Sequence, residues 1–225
     1  MKHKACPAQF KDYDSAGLID AQAGEFEAIV SVFGNEDYGG DIVQPGAFAD
    51  TIAAWKHSGN TLPILYSHRF DDPNYNIGSV IEIEEMAAGD SRLPSWVNGA
   101  VQSGGGLYVR ARLDTGDEAS PIAKQVGHLL RQRRVTQFSF AYDVLDSRPG
   151  TKDGTTDLTK LWLYEVGPTL IGMNPATELL TAKAPPGPDD PPTAPMKSTS
   201  RGGQTAASFR LRAQIAALAA TAQSD

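Results

Sequence analysis

The sequence predicts a mainly β domain with flanking helices, a small curled β-barrel of about six to seven strands. Three observations lead there. Six stretches of β-branched and aromatic residues with two-residue alternation fall between residues 24 and 167. Only two helical patterns interrupt them, and the resulting order, β, α, β, β, β, α, β, β, is not the regular alternation of a doubly wound sheet. The strands also alternate apolar with polar residues, as strands covered on one face do.

Each element has its own warrant. GEFEAIVSVFG (24–34) alternates as a strand, and the following NEDYGGD and QPG supply turn chemistry. GAFADTIAAWKHSG (46–59) spaces Phe48, Ile52 and Trp55 three or four apart and stops at Gly59, a helix. LPILYSH (62–68), IGSVIEIEEM (77–86) and GLYVRARLD (106–114) are three further strands; residues 87–106 between the last two are expected to form a long exposed hairpin insertion, a lid or assembly surface. SPIAKQVGHLLRQRR (120–134) opens on a Ser-Pro cap and aligns Ile122, Val126, Leu129 and Leu130. VTQFSFAYDVL (135–145) and LTKLWLYEVG (158–167) complete the set, with TLIGM (169–173) as a short additional strand.

Composition marks three regions. In residues 184–195 six of twelve positions are proline, so the protein domain is expected to span 1–183, followed by a flexible linker over 184–204. Residues 205–225 are Ala-rich, with Phe209, Leu211, Ile215 and Leu218 on a weak apolar stripe, a disordered or partly helical tail. Twenty Lys and Arg against 27 Asp and Glu give a net charge of −7, and residues 1–183 carry 24 acids to 16 bases. Non-specific affinity for a phosphate backbone has no bulk electrostatic support, so no nucleic-acid partner is expected. A single cysteine, Cys6, excludes an internal disulfide. The sequence lacks an 18-residue apolar run and an apolar leader, so no membrane partner or export is expected.

The four histidines are few enough to weigh singly. His3 is terminal, His57 sits where a cation suits a helix C-terminus, and His128 lies within the second helix. His68 differs, because it closes an apolar strand and opens the polar loop RFDDPNYN, a position where active residues often sit. Ser139 interrupts a strand between two aromatics; alternation puts Phe138, Phe140 and Tyr142 on one face and Ser139 and Ala141 on the other, so the hydroxyl is free to line a groove. Glu165 groups by alternation with Leu161 and Leu163, apart from Trp162 and Tyr164, which would bury the carboxylate and demand a partner. An imidazole N–H or one of Arg131, Arg133 and Arg134 would serve. Metal chemistry is poorly served: His57 and His68 are eleven apart without an HExxH pattern, and NEDYGGD has Gly39 where a calcium loop wants a ligand. No phosphate-binding glycine motif is present, and no cofactor is expected.

An ordered set of blocks resembles a known family. FEAIVSVFGNEDYGGDIVQPGAF, LPILYSHRFDDPNYNIGSV, GLYVRARLD, VTQFSFAYDV and LYEVGPTLIGMNPAT, spanning roughly residues 25 to 180, are similar to the prohead (capsid maturation) serine proteases of tailed bacteriophages, related in fold to herpesvirus assemblin. The resemblance implies His68 as catalytic base, Ser139 as nucleophile and Glu165 as the third member. The chain departs from the family pattern beside each of them: Asn76, Ile77 and Gly78 follow a longer loop after His68, Phe140-Ala141-Tyr142 follow Ser139, and Gly167 stands where the family commonly has serine. The resemblance further implies an endopeptidase that cleaves the major capsid protein and scaffold, and itself, inside the assembling prohead in the host cytoplasm, as a homo-oligomer, possibly a dimer. Two other readings stay open at this point, an inactive capsid-assembly or scaffold component with the same fold and a metal-dependent hydrolase.

Overall fold

The computed structural model describes residues 24–182. The linker 184–204 and the tail 205–225 lie outside the described residues, as do His3 and Cys6. Eight strands and three helices follow in the order β1 (Glu25–Val32), β2 (Asp41–Val43), α1 (Ala49–Ser58), β3 (Pro63–Leu65), β4 (Asn76–Met86), α2 (Gly99–Gly104), β5 (Gly106–Leu113), α3 (Pro121–Arg131), β6 (Gln137–Pro149), β7 (Thr156–Thr169) and β8 (Glu178–Ala182). No described helix is long and apolar enough to cross a membrane.

One mixed sheet runs β2-β7-β3-β4-β5-β1-β8, with β6 paired to β7. β7 organises it. Along one edge β7 pairs antiparallel with β6, and along the other it runs parallel to β2 at its start and to β3 at Val166. The expected closed barrel is corrected to an open sheet. β6 packs against both β1, where Phe26 and Phe138 stack at 5.6 Å, and β8, yet no ladder joins it to either among the described residues. Side chains occupy the edge instead: Phe138 N donates to Thr177 Oγ1 at 3.0 Å, and Gly172 N to Gln137 Oε1 at 2.8 Å.

The main core lies inside the curl and is built by Phe26, Phe48, Ile64, Leu107, Leu130, Phe138, Leu161 and Leu163. α1 caps it through two hydrogen bonds to one residue of β7, Trp55 Nε1 to Leu163 O at 2.9 Å and Leu163 N to Thr51 Oγ1 at 3.0 Å. It starts later than the periodicity predicts, because Glu85 accepts from Gly46 N and Phe48 N and holds residues 46–48 as a turn. α3 opens as expected, with Ser120 Oγ accepting from Ala123 N at 3.0 Å.

Three further expectations are corrected. Residues 87–105 are turns and the short α2, with Gly106 already in β5, and Leu93, Val97 and Val101 bury against Ile29, Met86 and Tyr108 as a second small core. Only Val101 lies in α2; Leu93 and Val97 come from the turns before it, so no regular periodicity marks this packing in the sequence. Residues 170–173 form no strand; Leu170 and Ile171 stand exposed. β2 and β8, three and five residues long, are strands that the periodicity missed.

Candidate active site

His68 does not end a strand. β3 stops at Leu65, and residues 66–68 form a single tight turn in which Ser67 and His68 both adopt left-handed backbone, φ 55° and 56°. Consecutive non-glycine residues in that region cost on the order of 1–3 kcal/mol each, so the surroundings must hold them there. Tyr66 stacks on Tyr75 at 6.4 Å, Arg69 lies 4.4 Å over the Tyr75 ring, and Arg69 is paired with Asp71. The turn folds back over β7 and against β6, which brings the imidazole over the outer face of the sheet.

Glu165 reaches that face through a β-bulge. In the β6–β7 ladder Ser139 pairs with Gly167, Phe140 with Val166 and Ala141 with Glu165, but Tyr142 pairs with Leu163. Tyr164 is the extra residue, its hydroxyl donating to Asp143 Oδ2 at 2.5 Å. Directly opposed residues share a face. Phe140, Val166, Tyr142 and Leu163 therefore face the core, while Ser139, Gly167, Ala141 and Glu165 face outward. Uninterrupted alternation predicts Glu165 beside Leu161 and Leu163; the bulge reverses this and re-aims the carboxylate, as bulges near functional sites do. The arginine alternative is not taken: the side-chain partner of Glu165 is His68, and Arg133 pairs with Glu178.

Although it points away from the core, Glu165 is fully buried beneath the 65–68 turn. His68 Nδ1 lies 2.5 Å from Glu165 Oε1, while Oε2 has no hydrogen-bond partner. Burial pushes the Glu165 carboxyl above its ordinary range, against the opposing pull of the His68 hydrogen bond and charge and, more weakly, the backbone N–H groups of Ala141 and Leu65. An imidazole donating through Nδ1 is held in one tautomer, with Nε2 free to accept a proton.

Ser139 is half-buried on the same outward face. It sits diagonally across the ladder from Glu165, a spacing of roughly 7–8 Å that one bridging imidazole spans. Among the described residues no hydrogen bond joins Ser139 to His68; the imidazole's bond is the one to Glu165. The structure thus joins two of the three predicted residues directly and puts the third beside them by register. It does not gather the residues of the metal reading: among the described residues no three His, Cys, Asp or Glu side chains lie close enough to hold an ion.

Gly167, opposite Ser139, is what lets the turn approach. A Cβ there would fall 1.7 Å from Leu65 O. Gly167→Ala is expected to lift the 65–68 turn off β7, lowering thermal stability by roughly 1–3 kcal/mol or more and removing activity with it. A variant with unchanged melting and unchanged turnover would show that the turn does not depend on this contact.

Residues 100–185 match the family model of the caudovirus prohead serine protease. The resemblance read from the sequence is borne out. The stretch similar to prohead proteases carries Ser139 and Glu165, and His68 lies outside it. Among solved structures the chain is similar to the capsid assembly protease of bacteriophage T4, at 13% identity and a TM-score of 0.40, covering 64% of this chain and 80% of that one. No curated protein matches the chain. Beside the prohead-protease likeness, Ser67 and Tyr164 shape the site and were passed over in the sequence, while Gly167 was noted there without its role in the approach of the turn. Gly167 alone left a signal, as a departure from the family pattern between two large apolar segments.

Proposed function

We propose that the chain is a serine endopeptidase in which Ser139 is the nucleophile, His68 the general base and Glu165 the group that orients it. The observation that carries this is the buried carboxylate of Glu165, turned by a bulge onto the face of Ser139 and bonded to His68 Nδ1 at 2.5 Å. Serine is a weak nucleophile at neutral pH, so His68 Nε2 takes the Oγ proton as the oxygen attacks the scissile carbonyl carbon. The tetrahedral intermediate collapses as Nε2 returns the proton to the leaving amine; water then repeats the cycle on the acyl-enzyme. Glu165 fixes the tautomer and stabilises the imidazolium without itself taking the proton.

The family match over residues 100–185 supports extending the proposal to the major capsid protein and scaffold as substrates inside an assembling prohead; action as an oligomer and self-trimming within residues 184–204 belong to the same proposal. Co-expression with the coat and scaffold proteins of the same virus, followed by intact-mass analysis, is expected to show discrete losses from those proteins. Coat and scaffold chains of unaltered mass would refute the substrate assignment. A second reading, an inactive assembly component, draws on the lack of a hydrogen bond between Ser139 and His68. Catalytic hydrogen bonds are often long until substrate is bound, so the geometry is compatible with an active enzyme.

A further inference from the structure

A cavity lies behind Ser139, on the core side of β6, and nothing in the proposed chemistry uses it. We propose that it is a specificity pocket for a lysine side chain of the substrate near the scissile bond, an inference that rests on the endopeptidase reading above. Its apolar wall includes Val30, Phe138 and Met173, its polar lining is Ser31, Asp37, Asp41, Tyr142 and Asn174, and Ser139 itself borders it.

The polar groups are arranged for a donor. Ser31 is 1% exposed and its Oγ has no hydrogen-bond partner. A register shift in β1 between Ile29 and Ser31 pairs Ser31 with Leu107 and so turns the hydroxyl toward the main core, where the cavity is. Leaving such a group unmet costs about 1–3 kcal/mol. Asp37 and Asp41 belong to the turn and short strand at the polar side, where Asp37 Oδ1 already accepts from Gly39 N and Asp41 N. Burial, then the Asp37 charge, raises the Asp41 carboxyl above its ordinary range against the weaker opposing pull of the Tyr142 hydroxyl. A cation beside the two carboxylates offsets their mutual repulsion and favours the charged form of each. An ammonium has three donors and no acceptor, which suits one hydroxyl and two carboxylates.

Size selects lysine among the cations. The space is small, about 80 Å³. Arginine is longer and ends in a rigid planar fork. A neutral side chain of the same length would cover the apolar wall and supply no counter-charge to the two carboxylates.

The test uses the full chain and two independent probes. Peptides carrying every amino acid in turn at each position flanking the cleaved bond are expected to show a preference for lysine over norleucine at one position. Asp41→Asn is expected to reduce that lysine-to-norleucine ratio of kcat/KM by roughly tenfold or more, the worth of a charge-assisted hydrogen bond. Separately, butylammonium titrated into the full-length Ser139→Ala protein is expected to shift the amide resonances of Ser31 and Tyr142, and butanol is not. Cleavage without a lysine preference, or a preference that survives both Asp41→Asn and Asp37→Asn, overturns the pocket and leaves the endopeptidase reading standing. A chain that cleaves no peptide but still binds butylammonium at Ser31 sinks the endopeptidase reading and the specificity role with it, leaving an ammonium site alone; absence of the butylammonium shifts overturns the pocket in either case.

Discussion

Ser139→Ala is expected to leave a folded protein whose peptide-bond cleavage falls by roughly 10⁴- to 10⁶-fold. The fold should not register the change. Ser139 is half-buried, its Oγ makes no hydrogen bond among the described residues, and losing one oxygen from such a site typically alters stability by no more than about 0.5 kcal/mol. Catalysis is another matter, since no other hydroxyl on this face of the β6–β7 ladder stands beside Glu165. Thermal melting and cleavage of a coat-protein peptide separate the two effects. Loss of folding together with activity, or retention of both, would remove Ser139 from the mechanism.

Glu165→Gln carries the second large effect, and here stability and activity should part in opposite directions. Glutamine keeps the shape and an acceptor for Nδ1–H but cannot stabilise the imidazolium that forms as Ser139 attacks, and a change of this kind is expected to lower kcat by roughly 10⁴-fold. The folded-state pKa of Glu165 is raised, mainly by burial. Ionising it within the fold therefore costs stability, and the wild type loses ground as pH rises through that raised value. The glutamine variant bears no such cost. Its melting temperature should equal that of the wild type below the unfolded carboxyl pKa of about 4.3 and should match or exceed it at neutral pH. A variant that melts lower at pH 7 than at acid pH, relative to wild type, would mean that the ionised carboxylate supports the fold.

Much of the scaffold was legible in the sequence because it is local. Phe48, Ile52 and Trp55 mark α1, Ser120-Pro121 marks the start of α3, and the alternation around Phe138 and Phe140 places Ser139 on the outward face. The site was legible only in part, because its decisive features depend on pairing between distant strands. Alternation along β7 puts Glu165 with Leu163; the bulge at Tyr164 exists because β6 offers one residue fewer over the same span, and nothing in the local sequence says so. Likewise the residues of ILYSH read as continuous strand, whereas β3 ends at Leu65 once Leu65 O settles on Gly167. Barrel closure failed for the same kind of reason. Whether β6 and β8 form a ladder depends on Thr177 and Gln137 taking the edge groups first, a choice made in three dimensions.

The central claim is that His68, held by Glu165, activates Ser139. Treating the full-length protein with a fluorophosphonate and mapping the adduct by peptide mass spectrometry tests it most directly, because the reagent reports an activated serine without requiring any particular peptide substrate. The expected result is one adduct, on the peptide containing Ser139, absent when His68 is replaced by alanine. An adduct on a different residue, labelling of Ser139 that proceeds equally without His68, or no labelling of the wild type would contradict it.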